Sequence, residues 1–132
     1  MKNIIQIIKN VENMRFIKPA TMEQIKEAED LLGVIFSDDY VEYVKNFGVV
    51  SGRGIELTGI TEHERLSVVS VTRKERILNP NIPKKMYVIE NLAIDGILAL
   101  QDDTGKIYTI APNENPKLLY DSLAEYIENA NF

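Results

Sequence analysis

Paired carboxylates and one histidine are the residues of this chain that could take part in acid–base chemistry. Three pairs of adjacent carboxylates occur, at Glu29–Asp30, Asp38–Asp39 and Asp102–Asp103. Neighbouring helix positions point about 100° apart, so the first two pairs do not converge on one point. His63 has no nucleophile and no orienting carboxylate assembled around it, and a single histidine without cysteine makes no zinc site. We therefore expect an exposed His63 and no catalytic residue, metal site or cofactor.

The other binding motifs in the chain are weak. Asp102 and Asp103 begin the segment DDTGK, which lacks the further oxygen ligands and the closing glutamate of a calcium loop and has the composition of a tight turn. The glycines of SGRG, residues 51–54, belong to neither a GxxxxGKS nor a GxGxxG motif. A basic cluster lacks interleaved aromatic residues that would stack on nucleic acid bases; it comprises Arg73, Lys74, Arg76, Lys84 and Lys85. We interpret this cluster as a surface patch that balances charge.

Length and charge limit the class of protein. The chain has 132 residues, which suits one domain spanning residues 1–132 with a single core. Its formal net charge of −5 is concentrated in residues 21–48 and 95–132, each with seven acidic and two basic residues. Such a surface repels nucleic acid phosphates and attracts a basic protein. Cysteine is absent, and no apolar run approaches the ~18 residues of a membrane-spanning helix. We expect a cytoplasmic protein that binds neither nucleic acid nor membranes.

Capping residues place the helices in the first part of the chain. An apolar stripe predicts a first helix over residues 2–13. Thr21 and Gln24 have the spacing of a capping box, and Gly33 can supply a left-handed end, so a second helix fits between them. Ser37 begins a third helix, which has two aspartates in its first turn and ends at Gly48.

The pattern changes to strands after residue 48. Alternating or β-branched runs predict strands over residues 55–60, 66–71 and 86–89, with 72–78 as a short helix or a loop. The turn formers of residues 102–105 predict a hairpin between residues 96–100 and 106–110. Residues 117–120 predict an edge strand, and Asp121 or Ser122 caps a last helix. The fold class is therefore α+β: N-terminal helices, a central antiparallel or mixed sheet with hairpins, and a C-terminal helix.

Three local patterns add a resemblance. A helix, a Leu-Gly end, an aromatic link and a second helix correspond to Ile25, Glu29, Leu32, Gly33, Phe36, Tyr40 and Gly48. A glycine before a strand and an aspartate turn followed by Gly-x-x-Tyr correspond to Gly96, Asp102, Gly105 and Tyr108. The closing helix begins at Ser122 and carries an aromatic residue four positions later. Together these patterns resemble the SUKH superfamily, which includes bacterial immunity proteins and the yeast cell-wall-synthesis regulators. Ser37 stands where that family usually has proline, and Leu123 where it usually has phenylalanine.

The resemblance implies a SUKH, or Smi1/Knr4-like, fold and a specific role. It implies an intracellular immunity protein that binds and neutralises a cognate secreted toxin, often a nuclease, without catalysis. A nuclease carries basic residues to hold phosphate, and an acidic protein surface can compete for them. We expect the toxin to contact acidic residues near the second and third helices and the hairpin turn, namely Asp38, Asp39, Glu42, Asp102 and Asp103. Glu29 lies beside the buried helix face, and we expect it to be structural.

Two alternative functions remain open from the sequence. One is a regulatory protein-interaction module of the same fold with a non-toxin partner. The other is a small enzyme that uses His63 with a carboxylate, in which case substitution of His63 would abolish activity.

Overall fold

The computed structural model describes residues 3–130, and within them five α-helices and seven strands form an α+β arrangement, as predicted. The helices are α1 (Ile4–Lys9), α2 (Met22–Leu32), α3 (Asp38–Phe47), α4 (Val68–Leu78) and α5 (Leu123–Asn129). The strands are β1 (Arg15–Phe16), β2 (Val50–Gly52), β3 (Ile55–Glu56), β4 (Tyr87–Asn91), β5 (Leu98–Gln101), β6 (Ile107–Ile110) and β7 (Lys117–Tyr120). Both sheets are antiparallel, with strand orders β1-β2-β3 and β4-β5-β6-β7.

The predicted caps of α2 and α3 are confirmed. The Thr21 side chain accepts the amide of Gln24, and the Gln24 side chain accepts the amide of Thr21, which completes the capping box. α2 ends at Gly33, whose φ of 67° is left-handed. The Ser37 hydroxyl accepts the Tyr40 amide, so Ser37 is the N-cap of α3 at the position where the SUKH pattern usually has proline. α1 is shorter than predicted, beginning after the Asn3 cap, and Lys2 lies outside the described residues.

The prediction of a strand over residues 66–71 is wrong, because this segment starts α4. Ser67 is the N-cap, and its hydroxyl accepts the Ser70 amide. Val68 and Thr72, four residues apart, are both buried, and the Thr72 hydroxyl accepts the Val88 amide at 3.0 Å. A β-branched run favours a strand on its own, but packing of one helical face against β4 outweighs that preference.

The strand predicted over residues 55–60 is limited to Ile55–Glu56. Beyond it the chain crosses to the second sheet, where the Thr58 amide donates to the Ile89 carbonyl at 2.8 Å. At Gly48 a Cβ would lie 1.9 Å from the Lys18 carbonyl oxygen, and at Gly59 a Cβ would lie 1.9 Å from the Gly48 carbonyl oxygen. Gly59 therefore permits close backbone contact between loops, not a phosphate-binding turn.

The hairpin and the last strand are confirmed. β5 and β6 pair in register from Leu98↔Ile110 to Gln101↔Ile107, and β7 pairs with β6 at the edge of the sheet. Alternate strand residues face opposite sides of this sheet. One side contributes to the main core with α1, α2, α3 and α5, whereas the other packs a smaller cluster against Val71 of α4.

Candidate functional site

The N-terminus of α3, the β5–β6 turn and the N-terminus of α5 meet at one end of the molecule. The Leu123 amide, at the start of α5, donates to Asp39 Oδ2 at 2.8 Å. The Gln101 side-chain amide donates both to Asp39 Oδ1 at 2.9 Å and to the Gly105 carbonyl at 3.1 Å. Asp121 immediately precedes Ser122, the N-cap of α5. We call this region the acidic end and define it as Asp38, Asp39, Glu42, Asp102, Asp103 and Asp121.

Asp39 is held by a buried hydrogen-bond network. The Ser37 hydroxyl donates to Asp39, and the Gln101 side chain connects Asp39 to Tyr87. The Tyr87 hydroxyl donates to Gln101 Oε1 at 2.9 Å and accepts the Ser37 amide at 2.9 Å. Burial raises the pKa of the Tyr87 hydroxyl well above its ordinary value, so this group stays a neutral donor. The network fixes the Asp39 carboxylate, because each partner is itself anchored in a strand or a helix cap.

Asp102 closes the hairpin turn. Its Oδ1 accepts the Thr104 amide at 2.9 Å, the Thr104 hydroxyl at 2.6 Å and the Lys106 amide at 3.1 Å, and its Oδ2 accepts the Tyr108 hydroxyl at 3.2 Å. Partial burial opposes ionisation, but these hydrogen bonds outweigh it and hold the pKa of the Asp102 carboxyl below its ordinary value. Asp102 is therefore a fixed carboxylate at neutral pH.

The carboxylates of the acidic end form no ion pair with basic side chains of residues 3–130. The ion pairs in that part of the chain lie elsewhere: Arg53 with Glu12, Arg65 with Glu56 and Lys117 with Glu114. The bonds to Asp39 and Asp102 come from amides and hydroxyls, which leave the negative charge in place. Four members are exposed and two half-buried; the exposed ones are Asp38, Glu42, Asp103 and Asp121. The arrangement can attract and hold cationic groups.

The structure thus brings the sequence-predicted residues together from segments far apart in the chain. Asp38 and Asp39 lie in the first turn of α3, Glu42 follows one turn later, and Asp102 and Asp103 lie in the adjoining turn. Asp121 was missed by the sequence analysis, which treated it only as a possible helix cap. The sequence does contain an indication of its place, because Asp121 is a charged residue directly before a predicted helix.

A second feature missed from the sequence is the buried carboxyl of Glu90. It lies in a groove of about 1230 Å³ and is only 6% exposed. Its Oε2 accepts the Glu56 amide at 2.7 Å, and the Tyr126 hydroxyl donates to its Oε1. Burial raises the pKa of the Glu90 carboxyl, and these hydrogen bonds reduce the increase. Glu90 therefore joins β3, β4 and α5. The sequence signal is a charge directly after the apolar run of residues 87–89 in the strand YVIEN.

His63 and Glu29, two of the residues considered for catalysis, each take part in a local hydrogen bond. His63 is exposed beside the 3-10 turn of residues 64–66, and its amide donates to the Thr61 hydroxyl. Glu29 Oε2 accepts the Phe36 amide at 2.8 Å, which is a structural role in the link between α2 and α3. Across the described chain, no group of three or more histidine, cysteine, aspartate or glutamate side chains is placed to hold a metal ion. No helix within residues 3–130 is both long and apolar enough to cross a membrane.

Comparison with known proteins identifies the family. The family model described as SMI1-KNR4 cell-wall, SUKH_5, matches residues 1–131. No curated protein matches the chain. The match covers the two capped helices, the hairpin and the closing helix that suggested the resemblance, and the α+β architecture agrees with it. The chain therefore belongs to the SMI1-KNR4 family of the SUKH superfamily.

Proposed function

We propose that this chain is a cytoplasmic immunity protein that binds a cognate toxin through the acidic end and neutralises it without catalysis. The observation that carries the proposal is the acidic end itself, where six carboxylates from three elements have no cationic partner within the described residues. Membership of the SUKH superfamily supports a role in protein binding. Like charges held together at one end repel one another, and a partner of opposite charge would relieve that repulsion.

The negative charge of the acidic end is complementary to the basic residues with which a nuclease toxin binds nucleic acid. An enzyme that cleaves nucleic acid needs lysine and arginine side chains to bind phosphates. A set of carboxylates can compete for those side chains, and the attraction between the two surfaces also accelerates encounter. The acidic end would therefore cover the surface that the toxin uses to hold its substrate.

Rigidity of the site favours tight binding. Asp39 and Asp102 together accept seven hydrogen bonds from the protein. These carboxylates are already ordered in the free protein, so binding loses less conformational entropy than it would with mobile side chains. Asp38, Glu42 and Asp103 of the same acidic end are exposed and remain available for direct contact.

Co-expression tests the proposal. The product of the gene adjacent to the one encoding this chain is expressed alone and together with it, and growth of the host is measured. We expect the chain to restore growth, and the triple variant Asp38→Asn, Glu42→Gln, Asp103→Asn to restore it poorly. A matched control replaces three exposed carboxylates outside the acidic end, Glu27→Gln, Asp30→Asn and Glu62→Gln, and should protect fully.

Three outcomes would contradict the proposal. If no adjacent gene product becomes tolerable in the presence of the chain, it is not an immunity protein for that product. If the purified chain instead binds a non-toxic cellular protein through the acidic end, the chain is a regulatory interaction module of the same fold. Protection that persists in the triple variant would place the toxin contact elsewhere on the surface.

A further inference from the structure

The outer edge of β7 is a free sheet edge. β7 is the last strand of the four-stranded sheet and pairs with β6 on one side only. Between residues 3 and 130, no other backbone group bonds to the main chain of β7. The opposite edge of the sheet is covered, because the Thr58 amide and hydroxyl donate to the carbonyls of Ile89 and Val88 in β4. Free strand edges offer unpaired amide and carbonyl groups to another chain.

Apolar side chains accompany this free edge. Leu118 is 57% exposed and Leu119 is 44% exposed. Leu119 and Tyr120 also line the groove next to β7, whose wall includes the exposed Ile94. A strand added to β7 would bury these side chains as well as pair the backbone groups. Most proteins protect such an edge with charged residues, but in β7 the single charged residue is Lys117 at its start.

The free edge runs into the acidic end. Tyr120, the last residue of β7, is followed by Asp121 and by the N-terminus of α5, where the Leu123 amide bonds to Asp39. The two ends of β7 therefore differ in charge, because Lys117 at one end is paired with Glu114 whereas the other end meets the unpaired carboxylates of the acidic end. An extended segment lying on β7 would be oriented by this difference, because its basic residues are attracted to the acidic end.

We propose that β7 receives an extended segment of the toxin as a fifth strand of the sheet, with basic residues of that segment lying over the acidic end. This inference rests on the proposed function, since the segment belongs to the toxin. Main-chain hydrogen bonds to β7 supply affinity that depends little on sequence, while Leu118 and Leu119 supply apolar contacts. The carboxylates of the acidic end fix the direction and register of the added strand.

Amide hydrogen exchange tests the pairing directly. The exchange of the β7 amides is measured by NMR in the free chain and in its complex with a catalytically inactive form of the adjacent gene product. We expect the outward amides of β7 to exchange rapidly in the free chain and at least tenfold more slowly in the complex. The amides of β5, in the middle of the sheet, serve as controls and should be unchanged.

Side-chain variants test the same contact by affinity. Leu118→Lys and Leu119→Lys place positive charge on the free edge, and we expect each to raise the Kd at least tenfold. Ile77→Lys is the matched control, because Ile77 lies on α4 and is 80% exposed, and its Kd should stay within twofold of the parent. Circular dichroism confirms that each variant is folded before its affinity is measured.

The outcomes separate this inference from the proposed function. A complex that forms with rapidly exchanging β7 amides and with unaltered affinity in both leucine variants overturns the fifth strand but leaves the acidic end as the binding site. Failure of the parent chain to bind the gene product overturns both. Protection of the β7 amides in the free chain that increases with protein concentration would assign the edge to a second copy of this chain and would also overturn the inference.

Discussion

Asp39 combines two roles that are usually carried by different residues. It contributes charge to the acidic end, and it also joins α3, β5 and α5 through hydrogen bonds to Ser37, Gln101 and Leu123. The adjacent Asp38 is exposed and has no such partners within the described chain. Of these two neighbouring aspartates, Asp39 therefore stabilises the fold and Asp38 contributes an exposed negative charge.

Substitution distinguishes these two aspartates. Asp39→Ala leaves the Leu123 amide and one N–H of the Gln101 side chain without an acceptor, and we expect the free energy of unfolding to fall by about 2–3 kcal/mol. Asp38→Ala loses only a favourable position at the helix N-terminus, which is worth roughly 0.3–1 kcal/mol. Urea denaturation followed by circular dichroism measures both. Equal losses in the two variants would show that the network does not stabilise the fold.

Glu90 gives a pH-dependent prediction. Because burial raises its pKa in the folded state, the folded chain binds the proton more tightly than the unfolded chain does. Tighter proton binding by Glu90 therefore stabilises the folded chain. This stabilisation is fully present below the pKa of an unfolded glutamate, about 4.3, and is lost as pH rises through the higher pKa of Glu90 in the folded chain. Glu90→Gln cannot titrate, so it should gain stability relative to the parent across that window, by at most about 1.4 kcal/mol per pH unit. Urea denaturation at a series of pH values measures this difference, and a difference that is constant with pH would contradict the prediction.

The helix α4 shows how an N-cap can favour a helix in a segment whose residue types favour a strand. Its first residues, Val68 and Val69, favour a strand by type, yet the hydroxyl of Ser67 accepts the Ser70 amide and begins a helix. Further along, Arg73 and Arg76 donate to the Leu31 and Leu32 carbonyls at the C-terminus of α2. These contacts hold the two helices together and account for part of the basic cluster.

Removing the Ser67 hydroxyl should therefore weaken α4. We expect Ser67→Ala to lower the free energy of unfolding by about 0.5–2 kcal/mol, the usual cost of losing an N-cap. Ser70→Ala is the matched control, because the Ser70 hydroxyl makes no hydrogen bond among the described residues and only its amide is used. Thermal or urea unfolding measures both variants. A loss in Ser70→Ala as large as that in Ser67→Ala would show that the cap is not responsible.

Elements with local signals were predictable, and those set by distant contacts were not. The capping box at Thr21, the left-handed end at Gly33 and the hairpin turn at Asp102 depend on residues a few positions apart. The strand predicted for 66–71 failed because the segment begins a helix that packs against β4, where Thr72 accepts the Val88 amide, and β4 follows later in the chain. The hydrogen bond from the Leu123 amide to Asp39 spans 84 positions. No local sequence pattern could therefore predict that the start of α3 and the start of α5 lie together.

At the scale of the whole molecule, charge is separated between two regions. The acidic end collects carboxylates from α3, the β5–β6 turn and the residue before α5, whereas the basic cluster lies on α4 and the segment that follows it. The net charge of −5 thus understates the local field at the acidic end. A basic partner approaching the molecule would be guided to that end before any specific contact forms.

Steering of this kind gives the last prediction, which concerns association rate. With an inactive form of the adjacent gene product as partner, we expect the association rate constant to fall by roughly tenfold or more between about 0.05 M and about 0.5 M salt, because salt screens exposed charges. The triple variant Asp38→Asn, Glu42→Gln, Asp103→Asn should associate slowly at low salt and respond weakly to added salt. Lys106→Gln removes a positive charge next to the turn and should associate at least as fast as the parent. Stopped-flow kinetics measures these rates, and a salt response in the triple variant as steep as in the parent would show that the acidic end does not guide the partner.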